Sequence, residues 1–133
     1  MALLVPDAGE ANMLDELLKN TTPETQKLKL YSNDISPAEG DTAATYTEAT
    51  IAGYALISLV RATGGAASSS GGVTTSVYPQ QTFSFTGTGI IVGYYLIKAT
   101  AATILWAERV FSTPGQTFNN GDQFKLTPKL QLE

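Results

Sequence analysis

The groups in this chain that could do chemistry are carboxylates. Glu39, Asp41 and Glu48 fall close together, and Glu108 lies two positions after Trp106. Glycoside hydrolysis needs two acids flanking one bond, one of them with a raised pKa. It also needs aromatic platforms, and most aromatics here alternate along strand-like segments, which is the pattern of a core. Glu108 and Arg109 are adjacent, so in a strand they point to opposite faces and do not pair. Oxygen donors for calcium occur at Asn33-Asp34, at Glu39 with Asp41, and at Asn119-Asn120-Gly121-Asp122. None has the EF-hand spacing, and Asx-Gly clusters are turn sequences. Gly87-Thr88-Gly89 lacks the third glycine and the following helix of a phosphate cradle. The chain has no histidine and no cysteine. That removes Ser-His-Asp and Cys-His nucleophiles, zinc ribbons, Fe–S clusters and disulfides. The expectation is a protein that is not an enzyme, with no catalytic, cofactor-binding or metal-ligating residues.

The 133 residues fit one domain, large enough to bury about two thirds of its unfolded surface without staples. Charged residues make up 15%, against about 25% in an average soluble chain. Much of the surface is therefore Thr, Ser, Gly and Ala. Hydroxyls cost less to desolvate than charges, so such a surface suits burial in an assembly; it equally suits a Thr-rich β protein with a neutral surface. Net charge is −4, and the eight basic residues are scattered from Lys19 to Lys129 without a block or stripe. This predicts no nucleic-acid partner. The longest apolar stretch, residues 51–60, is interrupted by Gly53 and Ser58 and is too short to span a bilayer. The start of the chain has neither the basic region nor the apolar run of a secretion signal.

One helix is predicted, over residues 7–19. Asp7 stands at capping-box spacing from Glu10, and Leu14, Leu17 and Leu18 share a face beside Met13. After Pro23 the chain reads as β. Residues 27–31 alternate, leucines inward and lysines outward. A polar loop follows, then short strands over 46–51 and 54–60. Residues 82–86 alternate cleanly. Residues 89–98 read as one long strand with a bulge at Gly93, and 103–111 as another carrying Trp106. A turn at 119–122 launches a strand in which Phe124, Leu126, Leu130 and Leu132 share a face, with Pro128 suggesting an edge or a bulge. Residues 63–77 have linker composition and read as a flexible internal loop, either mobile or ordered against a neighbouring subunit. The fold class expected is all-β: one antiparallel β-sandwich or jelly roll over residues 1–133, with one short N-terminal helix.

Several segments resemble a group of small virion proteins of tailed bacteriophages. They are Leu3-Leu4-Val5-Pro6-Asp7-Ala8-Gly9-Glu10 with Met13-Leu14-Asp15-Glu16-Leu17-Leu18, then Leu28-Lys29-Leu30-Tyr31-Ser32-Asn33-Asp34-Ile35-Ser36-Pro37. Tyr78-Pro79-Gln80-Gln81-Thr82-Phe83-Ser84-Phe85, Gly93-Tyr94-Tyr95 and Leu105-Trp106-Ala107-Glu108-Arg109 continue it, as does the stretch from Asn119 to Leu130. The resemblance implies a structural protein on the virion capsid surface, assembled in the host cytoplasm, that decorates or cements the shell. The implied partners are the major capsid protein and further copies of the chain itself, as a homo-oligomer and most simply a trimer, with no nucleic acid and no membrane. It carries over no catalytic residues. A tail or head-fibre component shares these features, and a carbohydrate-binding host-attachment module is the competing class. The apolar Leu3, Leu4, Val5 and Pro6, ahead of the predicted helix, are the expected capsid or subunit contact; the alternative is that they pack on the chain's own core.

Overall fold

The computed structural model describes residues 3–18, 25–60 and 65–132. The elements in order are β1 (Leu3–Leu4), α1 (Asp7–Leu18), β2 (Gln26–Tyr31), a single 3-10 turn (Ala43–Thr45), β3 (Ile57–Leu59), β4 (Ser68–Ser70) and β5 (Val73–Val77). They continue with β6 (Gln81–Ser84), β7 (Gly89–Ile91), β8 (Gly93–Lys98), β9 (Ile104–Arg109), β10 (Gln116–Phe118), β11 (Gln123–Leu126) and β12 (Lys129–Leu132). The protein is mainly β and its sheets are antiparallel, with one short helix, as an all-β sandwich requires.

The main sheet runs β1-β9-β8-β2-β3. Register places Leu28 opposite Leu96 and Leu30 opposite Tyr94 on one face, and Lys29 opposite Tyr95 on the other. Both faces are covered. Leu28, Leu30, Tyr94, Leu96 and Trp106 enter the larger core with Phe83, Phe85, Phe118 and Phe124. Tyr31, Tyr95, Ile97, Ile104 and Ala107 form a second core with Tyr46. A strand covered on both sides reads as a continuous apolar run, which is why residues 93–97 are buried without alternation. A register shift between Leu96 and Ile97 leaves Leu105 as the extra residue on β9. Helix α1 presses there: a Cβ on Gly9 would lie 2.0 Å from the Leu105 carbonyl oxygen.

The opposing layer is built from ribbons. β6 pairs with β11, placing Phe83 across from Phe124, and β5 pairs with β12. These are two stretches of one long ribbon, broken at residues 78–80 and 127–128. Pro128 has no N–H for a ladder, and its carbonyl accepts the Tyr78 N–H at 2.8 Å. β7 pairs with β10.

Several segments differ from the sequence reading. The single strand expected over 89–98 is divided at Val92, whose N–H is donated to the Tyr31 carbonyl and whose own carbonyl accepts the N–H groups of Val110 and Phe111. Gly93 follows because the backbone there has no room: an added Cβ would stand 2.1 Å from the Glu108 carbonyl oxygen and 2.7 Å from the Tyr31 hydroxyl. Gly93→Ala is expected to cost about 1–3 kcal/mol or more by overpacking, measured as a fall in the urea midpoint at constant slope. Residues 46–51 form no strand, only an isolated bridge from Glu48 to Tyr31. The Pro6 carbonyl accepts the first helical bond, from Glu10 at 3.0 Å, so Asp7 sits in the first turn of α1 rather than at its cap. Lys19, expected to end the helix, lies outside the described residues.

The segment 63–77, read as a flexible loop, carries a hairpin over 68–77. Gly71 and Gly72 have φ of 60° and 84°, the left-handed pair that a two-residue type I′ turn demands. β4 and β5 then pair with Ser70 opposite Val73. Linker composition hides a glycine turn that is followed by β-branched residues, Val73, Thr74, Thr75 and Val77. Residues 63–64 of that segment lie outside the described residues.

Candidate functional site

The polar side chains with chemical potential gather where residues 32–48 cross the outer face of the main sheet. β2 presents Tyr31 and β8 presents Tyr95 on that face, and the crossing segment contributes Tyr46, Ile35 and Ala43. Tyr46 stacks on Tyr95 with centroids 5.0 Å apart and meets Tyr31 edge-on at 5.0 Å. Such packed rings add about 0.5–1.5 kcal/mol per pair beyond burial. The Tyr46 hydroxyl donates to Asp41 at 2.7 Å, and the same carboxylate oxygen accepts the Ala38 N–H at 2.8 Å. Burial, reinforced by the bond to Asp41, pushes the Tyr46 phenol well above its ordinary value. Burial, with the nearby Glu48 charge, pushes Tyr95 up to about 12. These phenols stay neutral at physiological pH, so they are rigid packing groups rather than proton carriers.

The carboxylates of Asp34, Asp41, Glu48, Glu108 and Asp122 each have a partner within the chain. Glu48 receives the Lys29 ammonium at 2.7 Å on one oxygen and the Tyr54 hydroxyl at 3.0 Å on the other. Glu108 accepts the Tyr94 hydroxyl at 2.8 Å. Asp34 takes the Arg109 guanidinium and the Thr113 hydroxyl, while Arg109 Nε donates to the Phe111 carbonyl at 2.9 Å. Glu108 and Arg109 therefore serve different partners, as neighbours in a strand must. Asn33 closes the crossing segment by donating to the Thr45 carbonyl and accepting the Thr47 N–H. Asp122 caps the Asn119 N–H at 2.8 Å inside its turn. Glu39 is exposed, and its carbonyl accepts the Asp7 N–H. Asp41 and Glu48 thus bind different groups rather than converging on one point. Among the described residues no group of three or more acids is placed to hold a metal.

The chemistry of the arrangement is mechanical. It rivets the 32–48 segment onto the sheet. Glu48→Gln keeps an acceptor for Tyr54 but removes the charge facing Lys29. The pair is partly exposed, with side-chain exposures of 18% and 35%, so the expected cost is small. About 0.5–1 kcal/mol is expected at low salt, shrinking in concentrated salt, read by thermal melts across an ionic-strength series.

The predicted contact segment lies along the β9 edge of the main sheet. Leu3 and Leu4 pair with Glu108 and Ala107 of β9. Val5 is half-buried against the larger core and Pro6 is fully buried. Leu4 is half-buried. The described backbone of the segment closes the edge of its own sheet. The tyrosine face was not legible beforehand. The alternation over residues 27–31 predicts Lys29 facing solvent, and nothing in the sequence joins Arg109 to Asp34. The one usable signal was the acid density between residues 39 and 48. Comparison with protein-family models, with curated proteins and with solved structures found no match for this chain.

Proposed function

We propose that this protein is a non-enzymatic structural component of a tailed-phage particle, a decoration or cement protein that binds the assembled shell. The observation that supports the reading is the use of the acids: Asp34, Asp41, Glu48 and Glu108 each engage a partner within this fold. A cement must resist deformation while doing no chemistry. A main sheet covered on both faces, with its covering segment pinned by ion pairs, suits that task. The segment resemblance described above supplies the particle context.

A carbohydrate-binding module fits less well. Sugar recognition uses exposed rings, and each of the twelve aromatic residues is buried or half-buried here. A tail or head-fibre position remains the second reading, since the same sealed fold would serve there.

The test is localisation and binding. Immunogold labelling of intact particles should mark the head, and purified protein should saturate empty shells while binding free capsid subunits much more weakly. Each free subunit would present only part of a site that spans neighbours, so the gain on the shell comes from effective concentration. Label on the tail, or equal affinity for free subunits, would overturn the cement reading. Deleting residues 1–5 separates two roles of that segment. The expected result is a lowered melting temperature, because the β1–β9 pairing and the packing of Val5 are lost, with shell binding kept in the folded fraction. Lost binding at an unchanged melting temperature would instead place the segment at the shell contact.

A further inference from the structure

The turn at residues 119–122, which joins β10 to β11, contains two residues that can react with each other. Of the five asparagines in the chain, Asn120 is the only one followed by glycine. The carboxamide carbon of an asparagine can reach the main-chain nitrogen of the next residue, and a glycine there has no Cβ to obstruct the approach. The products are a five-membered succinimide and ammonia. Asn120 is exposed, and among the described residues nothing binds its carboxamide. Asn33, by contrast, is held at both ends of its carboxamide, donating to the Thr45 carbonyl at 2.9 Å and accepting the Thr47 N–H at 2.8 Å. Asn119 accepts the Thr88 hydroxyl at 3.3 Å.

The fold holds the two reacting atoms apart. The Asp122 N–H donates to the Asn119 carbonyl at 3.0 Å, and Gly121 has φ of 91°, while no described residue other than glycine has a positive φ. That is a type II turn with Asn120 and Gly121 at its centre. The first central residue of such a turn has ψ of about +120°. Tetrahedral geometry at Cα then turns the Gly121 nitrogen about 120° away from the Asn120 Cβ, whereas ring closure needs the two eclipsed. The nitrogen is also engaged. Its N–H donates to the Phe85 carbonyl at 2.9 Å, and the Phe85 N–H donates to the Asp122 carbonyl at 3.0 Å, which continues the β6–β11 pairing past Ser84 and Gln123. Asp122 completes the lock, because its carboxylate accepts the Asn119 N–H at 2.8 Å.

We infer that Asn120-Gly121 is a self-modification site that the turn holds closed and that local opening of the turn releases. In the open turn the Gly121 nitrogen gives its proton to solvent and forms a bond to the Asn120 Cγ. The Cγ–NH2 bond breaks and ammonia leaves. Water then opens the succinimide. Addition at the Cγ carbonyl yields aspartate. Addition at the main-chain carbonyl yields isoaspartate, whose backbone runs through Cβ and Cγ and so gains a methylene. Both products place a new carboxylate two positions before Asp122. The isoaspartate also displaces the Gly121 N–H, so its bond to Phe85 does not re-form. The reaction needs only water, and it converts a transient fraying of the β6–β11 end into a lasting change. The inference is independent of the particle reading.

Peptide-mapping mass spectrometry tests it on the full chain, incubated at mildly alkaline pH either in buffer or in urea above the unfolding midpoint. In urea Asn120 should convert faster than any other asparagine. In the folded protein it should convert about tenfold more slowly or less, because only the open fraction reacts. Asp122→Ala removes the cap on the Asn119 N–H while leaving Asn120-Gly121 intact. Well below its melting temperature, this variant should convert about threefold faster or more than the parent in buffer, and at the parent's rate in urea. The products give a second reading. The isoaspartyl form, separated by chromatography, should melt below Asn120→Asp, which bears the same charge on an ordinary backbone. A folded-state rate within tenfold of the rate in urea, faster conversion at another asparagine, an Asp122→Ala rate in buffer that fails to rise, or equal melting of the isoaspartyl form and Asn120→Asp would overturn the inference.

Discussion

Phe124→Ala is expected to cost about 3–5 kcal/mol in a urea titration. Phe124 lies across from Phe83 in the β6–β11 ladder and is 8% exposed. Its ring stands 5.3 Å from Phe111, 5.6 Å from Phe118 and 6.3 Å from Phe83, so it is the hub of the aromatic layer that joins the ribbon to the main sheet. Truncation leaves a cavity bounded by rings held in separate elements, and these cannot collapse together without moving β10 or β11. The loss should appear as a lower midpoint with the slope unchanged. A loss below about 1 kcal/mol would mean that the strand does not face the core in this register.

The second large effect is alkaline unfolding. Burial is the leading cause that raises the phenols of Tyr31, Tyr46, Tyr54 and Tyr94 above their ordinary value, and it takes Tyr95 to about 12. An unfolded tyrosine ionises near 10. The folded state holds the neutral form, so the stabilisation is complete below pH 10 and is lost as pH rises above it. Each tyrosine then withdraws about 1.4 kcal/mol per pH unit until its folded pKa is reached. Five acting together exhaust the roughly 5–15 kcal/mol stability of a typical domain within about two units. The expected observation is cooperative unfolding between about pH 11 and 12, with tyrosinate absorbance rising in the same transition as loss of the β circular-dichroism signal. Tyr46→Phe should make the decline shallower. Tyrosinate appearing near pH 10 in a protein that remains folded would contradict the packing described.

Legibility in the sequence followed the number of covered faces. Residues 82–86 and 124–126 alternate because one side meets the core and the other meets solvent, and both became strands facing the expected way. Pro128 marked the break between β11 and β12 because it lacks a donor, and that physics is local. Residues 27–31 misled for the opposite reason. The alternation is real, but the lysine-bearing face is covered by a segment anchored through Glu48 to Lys29 and through Asp34 to Arg109, partners 19 and 75 positions apart in the chain. No local pattern encodes such a lid. Residues 68–77 mislead because their Gly and Ser content is that of a linker, while their order puts two adjacent glycines directly before the β-branched Val73, Thr74 and Thr75. Strand β10, three residues long and held by β7 alone, carried no periodic signal.

The order of strands in the main sheet sets a timetable for making the protein. β1 and α1 precede the other described elements in the chain, yet both dock on β9, with Leu3 opposite Glu108 and Gly9 against Leu105. Tyr31 and Asp34 likewise wait for Val92 and Arg109. A nascent chain therefore carries β1 unpaired until β9 has left the ribosome, and β2 with only β3 beside it until β8 has. Pairings this distant along the chain form slowly, over milliseconds to seconds. Closing this edge of the sheet is thus gated by synthesis of β9, and the strand that closes it is made before its partner and placed after it.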